Sequence, residues 1–371
     1  MLRPVGEIVP LKTRRSEEFQ PPANYRICWV DSGTTALAIA IRAVTKRSTN
    51  RVPRVAMPAY ACPDLIAATL WAGAIPVVVD TRANTPWLDA AQIASQPRDY
   101  FSAAIAPHFL GIPHPLEALR SLCDERGITL IEDAAQTSVR SSAFRPTADL
   151  VVLSFGRGKP IPVGGGALLH TGRWSAEIDD IVAGLPWESG SIARWKLRTA
   201  AQNLAMTRVG YSLVRSLPWL AVGSTRFVPL LSPARTPDKI ACIRGSVLEQ
   251  WTVTVTQQQK AIASIVAGSP LVTDLAGSLG WDGHSELLRY PVLAENLEER
   301  NRLLSRLRTS HIEATSFYGT TVNRATDVPE TDLIGDVQHA ERFANRLLTL
   351  PAHSDVTMRD IADMAGCLQS R

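Results

Sequence analysis

The sequence predicts an α/β fold: a three-layer α/β/α domain built on a mostly parallel sheet, followed by a smaller α+β C-terminal domain. Short runs that are apolar on both faces, at 55–57, 75–79, 103–107, 129–131, 151–155 and 167–169, recur between stretches with helical spacing such as 64–72 and 115–126. Strands of that kind, alternating with helices, imply a sheet covered on both sides. The length, 371 residues, exceeds what one hydrophobic core usually supports, so two unequal domains are expected. The residues best suited to chemistry, Ser32 to Thr35, Tyr60, His108, the stretch 133–136 and the stretch 154–159, each follow an apolar strand. Ligands of open parallel sheets bind at those carboxyl ends.

Composition narrows the function classes. Apolar residues make up 45% and charged residues 20%, an ordinary globular balance, and the formal charge of +4 comes with no basic block interleaved with aromatics. Nucleic acid is therefore not an expected partner. The five cysteines, Cys28, Cys62, Cys123, Cys242 and Cys367, form no Cys-x-x-Cys pair. Their odd number and scatter argue against a disulfide framework and against a structural metal site, and point to the reducing cytoplasm. The N-terminal residues lack an apolar core of signal-peptide length, and no apolar run approaches a membrane span, so no integral membrane segment is expected.

In chain order, residues 1–24 are Pro-rich and charged and read as an N-terminal arm. A large domain is expected over 25–238, opening with a strand at 27–30, the turn Asp31-Ser32-Gly33-Thr34-Thr35 and an apolar helix from Ala36. Within it, 174–236 reads as a helical, Trp-rich insertion, with Trp174, Trp187, Trp195 and Trp219, suited to cover a site, meet a partner subunit, touch a membrane surface or add core helices. From 239 to 371 the pattern gives a bridging helical run to 266, a strand at 287–293, a helix at 297–310, a strand near 312–317, a helix at 338–348 and a closing helix from Met358.

Three features suggest a common ligand. Lys159 stands in a loop of glycines and prolines between two apolar strands, either partly desolvated and able to attack a carbonyl or an ordinary solvated loop lysine. The Ser-Gly-Thr turn at 32–34 before a helix supplies free amides and the positive end of a helix dipole, an anion site, or alternatively an ordinary helix cap. In Ile131-Glu132-Asp133-Ala134-Ala135-Gln136 an acid closes a strand among small residues and is suited to hold a cation; only one of Glu132 and Asp133 can face the ligand, and Asp133 is expected. A ligand anionic at one end, cationic in its ring and bearing a carbonyl matches pyridoxal 5'-phosphate. The spaced-glycine fingerprint of a dinucleotide site is absent around Gly33.

The order of motifs makes the resemblance specific. Ser32-Gly33-Thr34, Pro58-Ala59-Tyr60, His108-Phe109-Leu110-Gly111, Glu132 to Gln136, Ser154-Phe155 to Lys159 and the glycines 164–166 stand in the order seen in the DegT/StrS sugar aminotransferases, which the chain resembles over most of 25–370. The resemblance implies the aspartate aminotransferase fold (fold type I of the pyridoxal phosphate enzymes) and transfer of an amino group, usually from glutamate, to a nucleotide-linked keto sugar for glycan or secondary-metabolite assembly. It implies a homodimer with active sites at the interface. Carried over residue by residue, it makes Lys159 the Schiff-base lysine and proton shuttle and Asp133 the partner of the ring nitrogen, with Gln136 near the ring's phenolic oxygen. Gly33, Thr34, Thr35 and Ser154 fall at the phosphate and Tyr60 beside the ring. A sugar dehydratase or epimerase with the same cofactor, or a non-catalytic member of the fold, are the alternatives. Three departures stand out: Ala61-Cys62-Pro63 where a threonine and a stacking aromatic are common, Gly156-Arg157-Gly158 where many members have a histidine, and no asparagine over 238–246.

Overall fold

The computed structural model describes residues 1–5, 7–11, 19–50, 52–217, 225–251 and 257–369. Trp219 and residues 252–256 of the expected bridging run lie outside them.

The expected architecture is present. Strands β1 (Tyr25–Val30), β2 (Arg54–Pro58), β3 (Ile75–Val79), β4 (Ala103–Pro107), β5 (Thr129–Asp133), β6 (Leu150–Ser154) and β7 (Gly166–Thr171) alternate with helices α1 (Gly33–Arg47), α2 (Asp64–Trp71), α3 (Ala90–Ala94) and α4 (Glu117–Arg126). After β7 come α5 (Ser175–Ala183), α6 (Ile192–Ala205), α7 (Arg208–Arg215), α8 (Asp238–Gln250) and α9 (Gln257–Ala267). The C-terminal part holds β8 (Val272–Asp274), α10 (Leu275–Ser278), β9 (Tyr290–Ala294), α11 (Leu297–Thr309), β10 (Asp332–Ile334), α12 (Gln338–Arg346), β11 (Leu347–Leu350) and α13 (Met358–Gln369).

The large sheet runs β1-β7-β6-β5-β4-β2-β3-β10, and β7 alone is antiparallel to its neighbours. The pleat sorts its side chains into two apolar layers. Leu150, Val152 and Leu168 face the core that contains α1 and α2, whereas Val151, Leu153, Ala167 and Leu169 face one that includes Trp195 of α6 and Val247 and Leu248 of α8. Burial on both faces requires apolar residues at successive positions, as the sequence of β6 shows. The second sheet, β11-β9-β8, is small and antiparallel.

Two elements depart from the pattern reading. The strand expected near 312–317 is reduced to two isolated bridges on different partners: Leu2 N–H donates to His311 O (2.9 Å) and Glu313 N–H to Leu2 O (3.2 Å), whereas Thr315 pairs with Thr349 of β11. Phe317 then turns the chain with φ of 59°. β10, three residues long and mostly exposed, extends the large sheet from the C-terminal part by pairing parallel with β3.

Candidate active site

β1 ends at Val30, and Ser32 caps α1 with its Oγ accepting the Thr35 N–H at 3.1 Å. The amides of Gly33 and Thr34 have no acceptor among the described residues, so two N–H donors and the positive end of the α1 dipole lie at one point. This point is pinned to the end of β6 by the absence of a side chain. A Cβ on Gly33 would stand 2.6 Å from Cβ of Ser154, and one on Gly166 would stand 2.5 Å from the Gly33 nitrogen. Thr35 is fully buried and its hydroxyl accepts from Ser32 Oγ at 3.0 Å, so it is occupied within the cap. Thr34 Oγ1 donates to Asp64 Oδ2 at 3.1 Å.

Lys159 stands on the loop between β6 and β7, whose base is closed by Phe155 N–H to Gly165 O at 2.9 Å and Gly164 N–H to Phe155 O at 2.6 Å. Its backbone turns on Gly156, with Lys159 N–H donating to Gly156 O at 3.2 Å, while neighbouring Arg157 is exposed. The Lys159 ammonium acts on both Asp133 and Cys62. The two acids at the end of β5 face opposite ways. Glu132 Oε2 accepts the N–H groups of Thr147 (3.0 Å) and Ala148 (3.2 Å), and its Oε1 lies 3.1 Å from His108 Nε2. Asp133 is 9% exposed, within the field of the Lys159 ammonium, with Oδ1 accepting Ala135 N–H at 3.0 Å. Burial raises its pKa above the ordinary carboxylate range, against the opposing pull of Lys159.

Gln136 and Tyr60 are held by the protein itself. Gln136 Oε1 accepts the N–H of Leu110, whose φ of 53° is left-handed, at 2.9 Å, and its Nε2 donates to Tyr318 Oη at 2.8 Å. Tyr60 is 2% exposed, ringed by Phe109, Tyr318 and Phe343, with its hydroxyl donating to Ser316 O at 3.3 Å. Two groups absent from the sequence-derived site join it. Tyr318, on a loop of the C-terminal part, feels Cys62, Asp133 and Asp64, and burial drives its pKa well above the ordinary phenol value. Asp64 opens α2 after β2, so the same strand-end rule that selects Asp133 finds it; Tyr318, 182 residues from Gln136, has no sequence signal. Cys62, at the position expected to carry a stacking aromatic, is half-buried, and burial pushes its thiol up to about 12.

Over 238–246 α8 offers no asparagine. Arg244, buried, pairs with Glu188 at 3.0 Å and lies against Gly165, where a Cβ would stand 2.5 Å from its Cζ. Among the described residues no group of three or more His, Cys, Asp or Glu side chains could hold a metal ion.

A loop lysine and a buried strand-end acid beside a helix start define an α/β protein of the class that binds a small anionic ligand at the carboxyl edge of its sheet. The sequence profile of the DegT/DnrJ/EryC1/StrS aminotransferase family matches residues 24–181 and 246–369, and the chain belongs to that family. It is 27% identical over 143 residues to GDP-perosamine synthase of Vibrio cholerae, and 29% identical over 150 residues to dTDP-4-dehydro-2,3,6-trideoxy-D-glucose 4-aminotransferase of Saccharopolyspora spinosa. Those alignments cover 38% and 39% of this chain, and 38% of each relative. Among solved structures, Helicobacter pylori PseC, an aminotransferase of pseudoaminic acid biosynthesis, superposes with a TM-score of 0.67 over 93% of this chain and 85% of that one, at 16% identity. That likeness bears out the fold expected from the sequence.

Proposed function

We propose that the chain is a pyridoxal 5'-phosphate-dependent aminotransferase that moves an amino group, with glutamate as donor, to a nucleotide-linked keto sugar. The observation that carries this reading is that the Lys159 loop, buried Asp133 at the end of β5 and the start of α1 all lie at the carboxyl ends of the sheet, with the charge of Lys159 felt at Asp133. The residues fit the cofactor: the unpaired amides of Gly33 and Thr34, with Ser154 against them, suit a phosphate, and a desolvated carboxylate suits a protonated ring nitrogen. When bound, pyridoxal phosphate supplies an aldehyde and a ring that delocalises developing negative charge.

In this account the Gly33 and Thr34 N–H groups and Ser154 Oγ hold the phosphate, and Asp133 keeps the ring-nitrogen proton in place. Lys159 Nζ would move a proton between the substrate carbon and the carbon of the cofactor's aldehyde, the role of a positioned general base and acid. Thr35 supports the cap that presents those amides. Gln136 orients Tyr318 rather than meeting the ligand, and Cys62 and Tyr318 line the space beside Asp133 in place of a stacking aromatic. Tyr60 acts as the wall behind Tyr318. The names of the relatives, both acting on nucleotide-linked sugars, support the acceptor class. A cytoplasmic homodimer with interface sites completes the proposal.

The test is the absorption spectrum of the protein with pyridoxal phosphate, followed by glutamate and a panel of nucleotide-linked keto sugars. Glutamate is expected to discharge the bound-cofactor band with release of its keto acid, and one sugar to restore it. A cofactor band that glutamate leaves unchanged contradicts amino transfer and favours a dehydratase or epimerase; no band at all favours a non-catalytic role.

A further inference from the structure

The stretch 189–237 contains seven Lys and Arg residues and no Asp or Glu, so at a formal +4 for the whole chain the remainder is net negative. Most of the family-profile gap, 182–245, falls on this stretch. Its helices α6 and α7 are seated on the protein by one face each. Trp195 Nε1 donates to Val163 O at 2.8 Å, Asn203 exchanges hydrogen bonds with the backbone of Val9, Tyr211 is buried, and Arg208 pairs with Asp360 at 2.6 Å. Their outward faces carry large apolar side chains where polar residues are the rule: Leu197 is 72% exposed, Leu204 69%, Val209 82% and Leu213 64%. More than half of the large apolar side chains exposed among the described residues lie between Trp187 and Leu231. Scattered exposed leucines are ordinary, but a concentration of them on one segment marks an interaction surface.

Around Leu197 stand Arg194 and Arg198, four residues apart and so on one face of α6, with Lys196 between them. All three are exposed and none makes an ion pair among the described residues. A two-fold contact centred here would bring these like charges together, which disfavours a second copy of the chain as the occupant. An anionic bilayer surface satisfies both features, since it takes apolar side chains between its headgroups and attracts the flanking cations. We propose that α6 and α7 form a docking surface for an anionic membrane, a peripheral contact that uses no spanning segment; no helix among the described residues is long and apolar enough to cross one.

Flotation of the full chain with vesicles of phosphatidylcholine alone, and of equal parts phosphatidylcholine and phosphatidylglycerol, tests this. The chain is expected to float with the anionic vesicles, to be released by high salt, and to stay behind with the neutral ones. Neutralising Arg194→Gln, Lys196→Gln and Arg198→Gln together should weaken partitioning about 100-fold. Leu197→Ser with Val209→Ser should weaken it about tenfold or more. Failure of the wild-type chain to float, equal flotation with both vesicles, or unchanged binding by the charge variant overturns the proposal. Sedimentation of the Leu197→Ser, Val209→Ser variant gives a second reading: a change of oligomeric state would assign the face to a second copy and overturn the membrane assignment.

Discussion

The carboxyl edge of the large sheet and the helices α6 and α7 are built on opposite plans. At the edge, polar groups from distant parts of the chain are buried or half-buried and tied to one another, Thr34 to Asp64 and Gln136 to Tyr318, while buried Asp133 feels the charge of Lys159. On α6 and α7 apolar side chains are exposed and the neighbouring cations are left open to solvent. The family profile spans the first region and is interrupted over the second. A buried polar network tolerates little change, because each lost partner leaves another group unsatisfied in a dry site. An exposed surface has no such constraint, so its features report on what lies outside the chain.

Substitutions sharpen that contrast. The largest effect is expected from Lys159→Ala, which removes the amine proposed to hold the cofactor and move the proton: amino transfer should fall about 10⁴-fold or more, with folding intact by circular dichroism. Retained turnover would separate the lysine from the chemistry.

Asp133→Asn should lower the rate about 10²–10³-fold, the scale of one lost electrostatic partner in a dry site, yet stabilise the cofactor-free protein. The sign follows from linkage. Burial raises the folded-state pKa of Asp133, so the folded chain binds the proton more tightly than the unfolded chain. Stability is therefore lost as pH rises above the ordinary carboxylate range. The gain in Tm for the asparagine variant should be absent in acid and grow toward neutral pH; a gain independent of pH would refute the assignment.

Tyr318→Phe leaves Gln136 Nε2 without its acceptor and should cost about 1–3 kcal/mol in denaturant unfolding. The smallest effect belongs to the outer helices: Leu197→Ser and Val209→Ser should each change stability by about 0.5 kcal/mol or less and leave turnover unaltered. A larger loss would mean that these side chains are covered.

The fold was legible because burial on both faces forces strands such as β6 to be apolar at successive positions, while helices keep their own period. The strand-end positions of Gly33, Asp133, Ser154 and Lys159 were legible because each closes or follows an apolar run, and local turn chemistry marks them. What comes from across the chain was not. Tyr318 reaches Gln136 from a loop whose sequence has no period, and the stretch 312–317 reads as a strand although its backbone is engaged by Leu2. The packing of Phe109, Tyr318 and Phe343 around Tyr60 likewise comes from across the chain and has no sequence signal.

The proposed chemistry depends on Lys159 before any other residue. Borohydride reduction of the protein loaded with pyridoxal phosphate, followed by peptide mass spectrometry, should place the cofactor's mass on the peptide containing Lys159 and on no other. Label on Lys46, Lys196, Lys239 or Lys260 instead, or no label at all, would contradict it.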